Sequence, residues 1–305
     1  MFTILLGMAG IIIAGLVWRI ILGSKSAEII RSHLARAVYE IFLPALVLHV
    51  MWQTPVSLNI LRVPVVAAVG VLLCLLTAVM IYGDGKHFGG RRAAGAMLLA
   101  SGFGNFTYLG LPVLTQTFGS WAQSVAIPFD LFASTPLLFT VGIMLARHYG
   151  HSAGSVHALI ELIRVPALWA ALGGLLLSMT HIPMPAWLDT ALGVLGAAVV
   201  PLMLLSIGMA LRWQSGWLGK IPVLMPMLLI QLGLMPLIVW GASMGVGMPE
   251  RLLAPSVIEG AMPTMVLGLV ICDRFKLDST LYAEAVTVST ALSLITLPLW
   301  LKVIT

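Results

Sequence analysis

The sequence has little charge: Asp, Glu, Lys and Arg together make up 9% of its 305 residues, whereas 60% are hydrophobic. A mean hydropathy of +1.07 excludes an ordinary soluble globular domain. It predicts an all-α polytopic membrane protein that is surrounded by the lipid bilayer. No polar stretch is long enough for a separate soluble domain, and the net charge of +5 therefore does not indicate nucleic-acid binding.

Recognisable catalytic and metal-binding motifs are also lacking. The two cysteines, Cys74 and Cys272, have no metal-ligand spacing and indicate no disulfide framework. Without a Walker-type loop, a zinc motif or a nucleophile elbow, we expect neither an enzyme nor a bound metal or cofactor. No basic residue precedes the first apolar run, and Arg19 follows it. A cleaved signal peptide has the opposite charge order, so residues 2–22 are expected to form a retained first span.

Ten apolar segments can be drawn, each close to the roughly 20 residues that cross the hydrocarbon core, with boundaries good to about two to four residues. They are residues 2–22, 35–53, 61–82, 93–118, 121–146, 164–181, 187–211, 221–245, 252–272 and 281–304. Residues 23–34 are interpreted as a polar connector. Thirteen of the sixteen Lys and Arg residues fall on one side of this arrangement. That bias predicts a cytoplasmic location for this side and places both termini outside.

An internal repeat relates the two halves, which we place at residues 1–150 and 151–305. Pro44 in the second segment and Pro201 in the seventh are 157 residues apart, and a second pair of prolines shows nearly the same offset. Each half contains five segments, an odd number. The second copy must therefore cross the membrane in the opposite sense, as an inverted repeat.

Helix-breaking residues interrupt the fourth and the ninth segments. The fourth contains Ser-Gly-Phe-Gly-Asn-Phe-Thr-Tyr-Leu-Gly-Leu-Pro at 101–112, and the ninth contains Ala-Met-Pro-Thr at 261–264. In a bilayer, broken backbone is tolerated only where protein or a watery cavity satisfies the freed polar groups. Matched interruptions in two inverted halves indicate the binding site of a transporter. Kinked packing helices, whose glycines let neighbours approach, are the simpler alternative.

Such a site would suit an anion, because half-helix N-termini present N–H groups and positive dipole ends. Asn105 could both donate and accept hydrogen bonds. The hydroxyls of Thr107 and Tyr108 could instead bond to carbonyls of their own helix. The complete set of predicted substrate-binding residues is Gly104, Asn105, Thr107, Tyr108, Gly110, Pro112, Met262, Pro263 and Thr264.

Three ionisable side chains within the segments are candidates for the coupling-ion site. Ionisable groups at membrane depth are costly, and Asp130 and Glu259 are therefore interpreted as functional. Glu259 could alternatively pair with a basic group or cap a half-helix. His49 is the third candidate because it could titrate near neutrality, although a lone histidine in an apolar segment is more often a packing residue.

The stretches Leu-Pro-Ala-Leu (43–46), Gly-Asn-Phe-Thr-Tyr-Leu-Gly-Leu-Pro (104–112) and Ala-Met-Pro-Thr (261–264) resemble the auxin efflux carrier family. That family includes bacterial malonate and malate permeases and the plant PIN-type auxin exporters. The resemblance covers the whole chain in length, segment count and motif order, and Asn-x-x-x-x-Gly-x-Pro at 105–112 is its most specific part.

The resemblance implies a fold like that of sodium/proton antiporters and bile-acid symporters. In this fold the fourth and ninth segments cross as broken helices, with Asn105, Pro112 and Pro263 at the crossover. It also implies organic anions such as dicarboxylates as substrates. The sequence departs from the plant exporters in lacking their long central hydrophilic loop, and it has no asparagine beside Pro263.

We therefore expect a secondary transporter of small organic anions in a bacterial inner membrane, acting by alternating access and coupled to protons. A sodium-coupled symporter of the bile-acid type is the alternative mechanism. A channel and a membrane-embedded sensor are alternatives of another class. Substrate, direction and coupling ion stay open, as does the oligomeric state, for which a homodimer is one option.

Overall fold

The computed structural model describes residues 2–54, 58–85, 88–150, 163–211 and 217–304. Within these ranges the chain consists of helices and loops, with one isolated β-bridge. The first half contains α1 (Phe2–Leu22), α2 (Ser24–Ala37), α3 (Leu43–Gln53), α4 (Leu58–Tyr82), α5 (Arg91–Gly102), α6 (Leu111–Phe118), α7 (Gln123–Phe129) and α8 (Ile143–Tyr149). The second half contains α9 (Pro166–Met179), α10 (Ala186–Ala210), α11 (Ile221–Leu229), α12 (Met235–Gly245), α13 (Glu250–Gly260), α14 (Gly268–Phe275) and α15 (Ser279–Ile304).

Wide π-helical turns continue several of these helices into the next. In the described chain they are Val38–Phe42, Phe106–Gly110, Asp130–Ser134, Leu138–Gly142 and Ile230–Leu234. Four of the five end two residues before a proline, namely Pro44, Pro112, Pro136 and Pro236. Proline lacks an N–H and crowds the carbonyl four residues earlier, so the helix widens ahead of it. At Pro236 the freed carbonyl is that of Leu232, which accepts a hydrogen bond from Trp300 Nε1 at 2.8 Å.

Six helical runs in the described ranges are long and apolar enough to cross a membrane: Lys25–Gln53, Asn59–Tyr82, Ser120–Tyr149, Ala186–Ala210, Ile221–Gly245 and Ser279–Ile304. The prediction of an all-α polytopic membrane protein is confirmed at this level. The count of ten spans and the inverted repeat stay predictions. The junction expected between the halves adjoins residues 151–162, which lie outside the described residues.

The predicted polar connector at 23–34 is wrong, because this stretch belongs to helix α2. Its polar and apolar residues separate on the helix surface: Lys25 is exposed and Ala27 is 1% exposed. Glu28 and Arg31, three residues apart and hence on one face, form an ion pair. The charged stretch between the first two apolar segments therefore forms an amphipathic helix. This helix continues through the turn Val38–Phe42 into α3.

The two interrupted segments each end their first half-helix on a tightly packed glycine. Gly102 closes α5, and a Cβ at this position would overlap the side chain of Leu75 on α4. Gly260 closes α13, where a Cβ would lie 3.0 Å from a methyl group of Val239 on α12. The absent side chains let each half-helix end close against a neighbouring helix, and this brings the two interruptions to the interior.

Candidate functional site

The two interruptions lie directly against each other. Gly104 and Thr264 form an isolated antiparallel β-bridge. The N–H of Asn105 donates to the carbonyl of Pro263 at 2.6 Å. One bridge position further, the N–H of Met265 donates to the carbonyl of Phe103 at 3.1 Å. We call residues 103–105 and 262–265 the crossing, in which backbone freed from one helix satisfies backbone freed from the other.

Side chains from other helices complete the hydrogen bonds of the second interruption. Gln231, in the π-helical turn after α11, donates from Nε2 to the carbonyl of Met262 at 2.9 Å. Tyr282 on α15 donates its hydroxyl to the carbonyl of Met265, also at 2.9 Å. Irregular backbone at membrane depth requires such partners, because lipid offers none. These two contacts therefore fix the second interruption between its neighbours.

Thr264 is fully buried and uses its polar groups within the protein. Its hydroxyl donates to the carbonyl of Ala100, near the end of α5, at 2.8 Å. Its N–H donates to the Ser289 hydroxyl on α15 at 3.2 Å. The predicted substrate-binding hydroxyl is thus engaged in joining the two interrupted segments.

Two amide groups at the crossing are only partly satisfied. Asn105 is 4% exposed, and its Nδ2 is buried with no hydrogen-bond partner among the described residues. The same holds for Oε1 of Gln231. A side chain at position 104 would displace the Gln231 amide, since a Cβ on Gly104 would lie 2.8 Å from Gln231 Nε2. Buried polar groups are normally paired with protein or ordered water, so these two atoms have a hydrogen bond left to make.

A small cavity of about 70 Å³ adjoins the crossing. A water molecule needs roughly 10–15 Å³ of such space, so the cavity can hold several waters or a small solute. Its lining includes the starts of both following half-helices, at residues 104–108 and 265–267. Of the predicted binding residues, Gly104, Asn105, Thr107 and Tyr108 contribute to this lining. Pro112 is buried in the first turn of α6.

Asp130 also lines this cavity and is held by two hydroxyls. Thr107 donates a hydrogen bond to one carboxylate oxygen, and Thr135 donates to the other at 3.0 Å. Thr135 was not among the predicted residues. Its proximity follows from the π-helical turn Asp130–Ser134, in which i→i+5 hydrogen bonding brings residues five apart onto one face.

Glu259, at the end of α13, is fully buried beside the crossing. Neither carboxyl oxygen has a hydrogen-bond partner within the described part of the chain. The carboxyl group packs on Gly110, where a Cβ would overlap both oxygens. Asp130 contacts Thr107, and so the two acidic side chains approach the same π-helical turn, Phe106–Gly110.

His49 does not join this group. Its Nε2 lies 2.8 Å from a carboxylate oxygen of Asp189 on α10, and Gln53 donates to the same oxygen at 2.7 Å. His49 borders a second, larger cavity at the other end of α3. The structure therefore separates this coupling-ion candidate from Asp130 and Glu259.

Sequence reasoning missed Tyr282 and Ser289, which support the second interruption from α15. Both lie in a helix of ordinary composition, and only the tertiary packing shows their role. Gln231 was not among the predicted site residues either, and it bonds to the carbonyl of Met262 in a different segment. A single glutamine within a long apolar segment is a usable signal, because unpaired amides are costly in lipid.

Comparisons with known proteins agree on one family. The sequence profile of the family described as membrane transport protein matches residues 27–301. An uncharacterized transporter of Methanothermobacter thermautotrophicus is 28% identical over 289 residues, covering 92% of this chain and 90% of the relative. An uncharacterized transporter of Methanocaldococcus jannaschii is 26% identical over 254 residues, covering 80% of this chain and 79% of the relative. The resemblance inferred from the motifs is confirmed, and the chain belongs to the membrane transport protein family, that of the auxin efflux carriers.

Proposed function

We propose that this membrane protein is a secondary carrier of small organic anions and that the solute binds beside the crossing. The observation that carries this proposal is the unpartnered, buried Nδ2 of Asn105 next to a cavity. The N–H groups at the start of a helix lack intrahelical acceptors. One helical segment starts in the lining of this cavity, at Phe106, and a second starts at Gly268, directly after the lining residue Leu267. In the second segment the N–H groups of Leu269 and Val270 already donate to the carbonyls of Val266 and Leu267. The N–H groups at the start of the first segment, together with the Asn105 amide, can receive a carboxylate.

We further propose that the fold comprises ten spans in two inverted repeats. The antiparallel sense of the bridge between Gly104 and Thr264 supports this arrangement, because inverted copies must run in opposite directions where they meet. Alternating access would then move one group of helices past the other around the crossing. The positive-charge bias supports an orientation with both termini outside. The two archaeal relatives support a location in the cytoplasmic membrane of a prokaryotic cell.

The binding assignment is tested in proteoliposomes loaded with radiolabelled malonate, comparing the native protein with Asn105→Ala. We expect transport to fall at least tenfold, because the substitution removes a buried side-chain donor that has no partner among the described residues. Thr190→Ala is the matched control, since the exposed Thr190 hydroxyl bonds to the Ala186 carbonyl of its own helix at 2.9 Å and is remote in sequence from both interruptions. Undiminished transport by Asn105→Ala, with malonate and with a panel of other mono- and dicarboxylates, would refute the assignment.

We propose that Asp130 couples transport to a cation. An anionic solute and an ionised Asp130 in one cavity of about 70 Å³ would repel each other. A proton on Asp130, or a sodium ion held by its carboxylate and the hydroxyls of Thr107 and Thr135, removes this repulsion. Glu259 is the second candidate, because its unpartnered oxygens require a proton or a cation to be stable when buried.

An imposed pH gradient and an imposed sodium gradient separate the two coupling ions. We expect transport by the native protein to respond to one of them and Asp130→Asn to respond to neither while still exchanging solute. Glu259→Gln shows in the same assay whether the second carboxyl shares this role. Equal responses to the gradients by the native protein and Asp130→Asn would exclude Asp130 as the coupling site.

A further inference from the structure

A second cavity, of about 570 Å³, lies away from the crossing. It is bordered by the end of α3, the start of α4, residues 120–124 and the start of α13, and we call it the vestibule. Arg251 in its wall is nine residues before Gly260, which corresponds to roughly 13 Å along α13. The vestibule is therefore distinct from the site beside Asn105. In the proposed orientation it is at the outer face of the membrane.

The vestibule wall combines apolar surface with several polar side chains and one positively charged group, the guanidinium of Arg251. Its lining includes the side chains of His49, Gln53, Asn59, Gln123 and Arg251 but no carboxylate. Asp189, held by His49 and Gln53, is not part of this lining. The guanidinium carbon of Arg251 lies 4.4 Å from the centroid of the Trp121 ring. Arg251 has no ion pair or hydrogen bond within the described residues.

Stacking on Trp121 orients the Arg251 guanidinium without using its N–H groups. A planar guanidinium held in this way can donate two parallel hydrogen bonds to a carboxylate. We propose that the vestibule is an anion-binding site, distinct from the crossing, that receives soluble organic carboxylates through Arg251. Its role as the first contact of a transported solute depends on the function proposed above, whereas carboxylate binding itself does not.

Fluorescence quenching of Trp121 tests this proposal on the purified full-length protein in detergent. Iodide is an anionic quencher and acrylamide a neutral one, and the difference between the native protein and Trp121→Phe isolates the Trp121 signal. We expect the ratio of iodide to acrylamide quenching to fall in Arg251→Gln by up to about fivefold, the range of an exposed charge pair. Arg251→Lys, the matched control, keeps the charge and should retain most of the ratio.

Malonate is the probe for the carboxylate. We expect it to protect Trp121 from iodide in the native protein and not in Arg251→Gln. An unchanged ratio in Arg251→Gln, a ratio equally low in Arg251→Lys, or absent protection in the native protein would overturn the proposal.

Lipid phosphate presents similar chemistry, so the titration is repeated in nanodiscs with zwitterionic lipid and with phosphatidylglycerol. Protection in both lipids supports a soluble ligand. Loss of protection with phosphatidylglycerol would assign the vestibule to lipid headgroups instead and overturn the proposal. Asn105→Ala should leave the quenching ratio unchanged. A wrong assignment of the site beside Asn105 is thereby distinguished from a wrong assignment of the vestibule.

Discussion

Replacing Gly110 with alanine is expected to destabilise the protein, although its backbone suits alanine. Gly110 has φ −62° and ψ −50°, an ordinary helical conformation in which alanine is favoured over glycine by about 0.8–1 kcal/mol. The added methyl group, however, would overlap the buried carboxyl group of Glu259. Overpacking of this kind costs about 1–3 kcal/mol. The expected net loss in the free energy of unfolding is therefore up to about 2 kcal/mol.

Gly110→Ala should change the free energy of unfolding in the opposite direction once Glu259 is shortened. In a Glu259→Ala background the three atoms nearest to the added methyl group are gone, and Gly110→Ala should stabilise the protein by up to about 1 kcal/mol through helix propensity. Unfolding by sodium dodecyl sulfate in mixed micelles, followed by tryptophan fluorescence, measures both values. Gly233→Ala is the matched control, since it is also in a π-helical turn but has no atom within 4 Å of its Cβ position. An equal cost of Gly110→Ala in both backgrounds would refute the reasoning.

Three further predictions concern the framework around the site. Thr264→Val should lower the free energy of unfolding by about 1–3 kcal/mol, measured in the same micelles, because it leaves a buried carbonyl of the first interrupted segment without its donor. Lys220→Met should also destabilise the protein, because Glu284 is 2% exposed and loses its ion-pair partner. The expected loss is about 1–3 kcal/mol, reduced because Lys220 itself is 39% exposed to solvent. Adding Glu284→Gln should recover most of the loss. On intact cells, Ser120→Cys should react with an impermeant maleimide and Thr280→Cys should not, and the reverse pattern would invert the proposed orientation.

The positions of both interruptions could be predicted because glycine and proline act locally. Helix α5 ends at Gly102 and helix α13 at Gly260, within or next to the stretches identified from breaker residues alone. The prediction that 23–34 is a connector failed for a physical reason. Charge density suggested a polar connector, whereas the separation of polar and apolar residues on the helix surface determines the structure.

Contacts between distant residues could not be predicted with the same success. Tyr282 and Ser289 reach the second interruption from α15, and no local pattern distinguishes them from other polar residues of that helix. His49 was grouped with the coupling-ion candidates because its imidazole could titrate near neutrality, yet its position on α3 is at the vestibule. Along a helix, each residue advances by about 1.5 Å, so a few residues suffice to separate a side chain from a site at the membrane centre.

The two interruptions differ in how fully their polar groups are used, and this difference indicates where a solute can bind. In the second, Gln231 and Tyr282 donate to backbone carbonyls and the Thr264 hydroxyl is engaged. In the first, the Asn105 amide nitrogen has no partner among the described residues. A group that already has its hydrogen bonds gains little by binding a ligand, whereas an unsatisfied buried donor gains a full hydrogen bond. If a carboxylate binds beside the crossing as proposed, it should therefore bind chiefly to groups of the first interruption, with the second as the support.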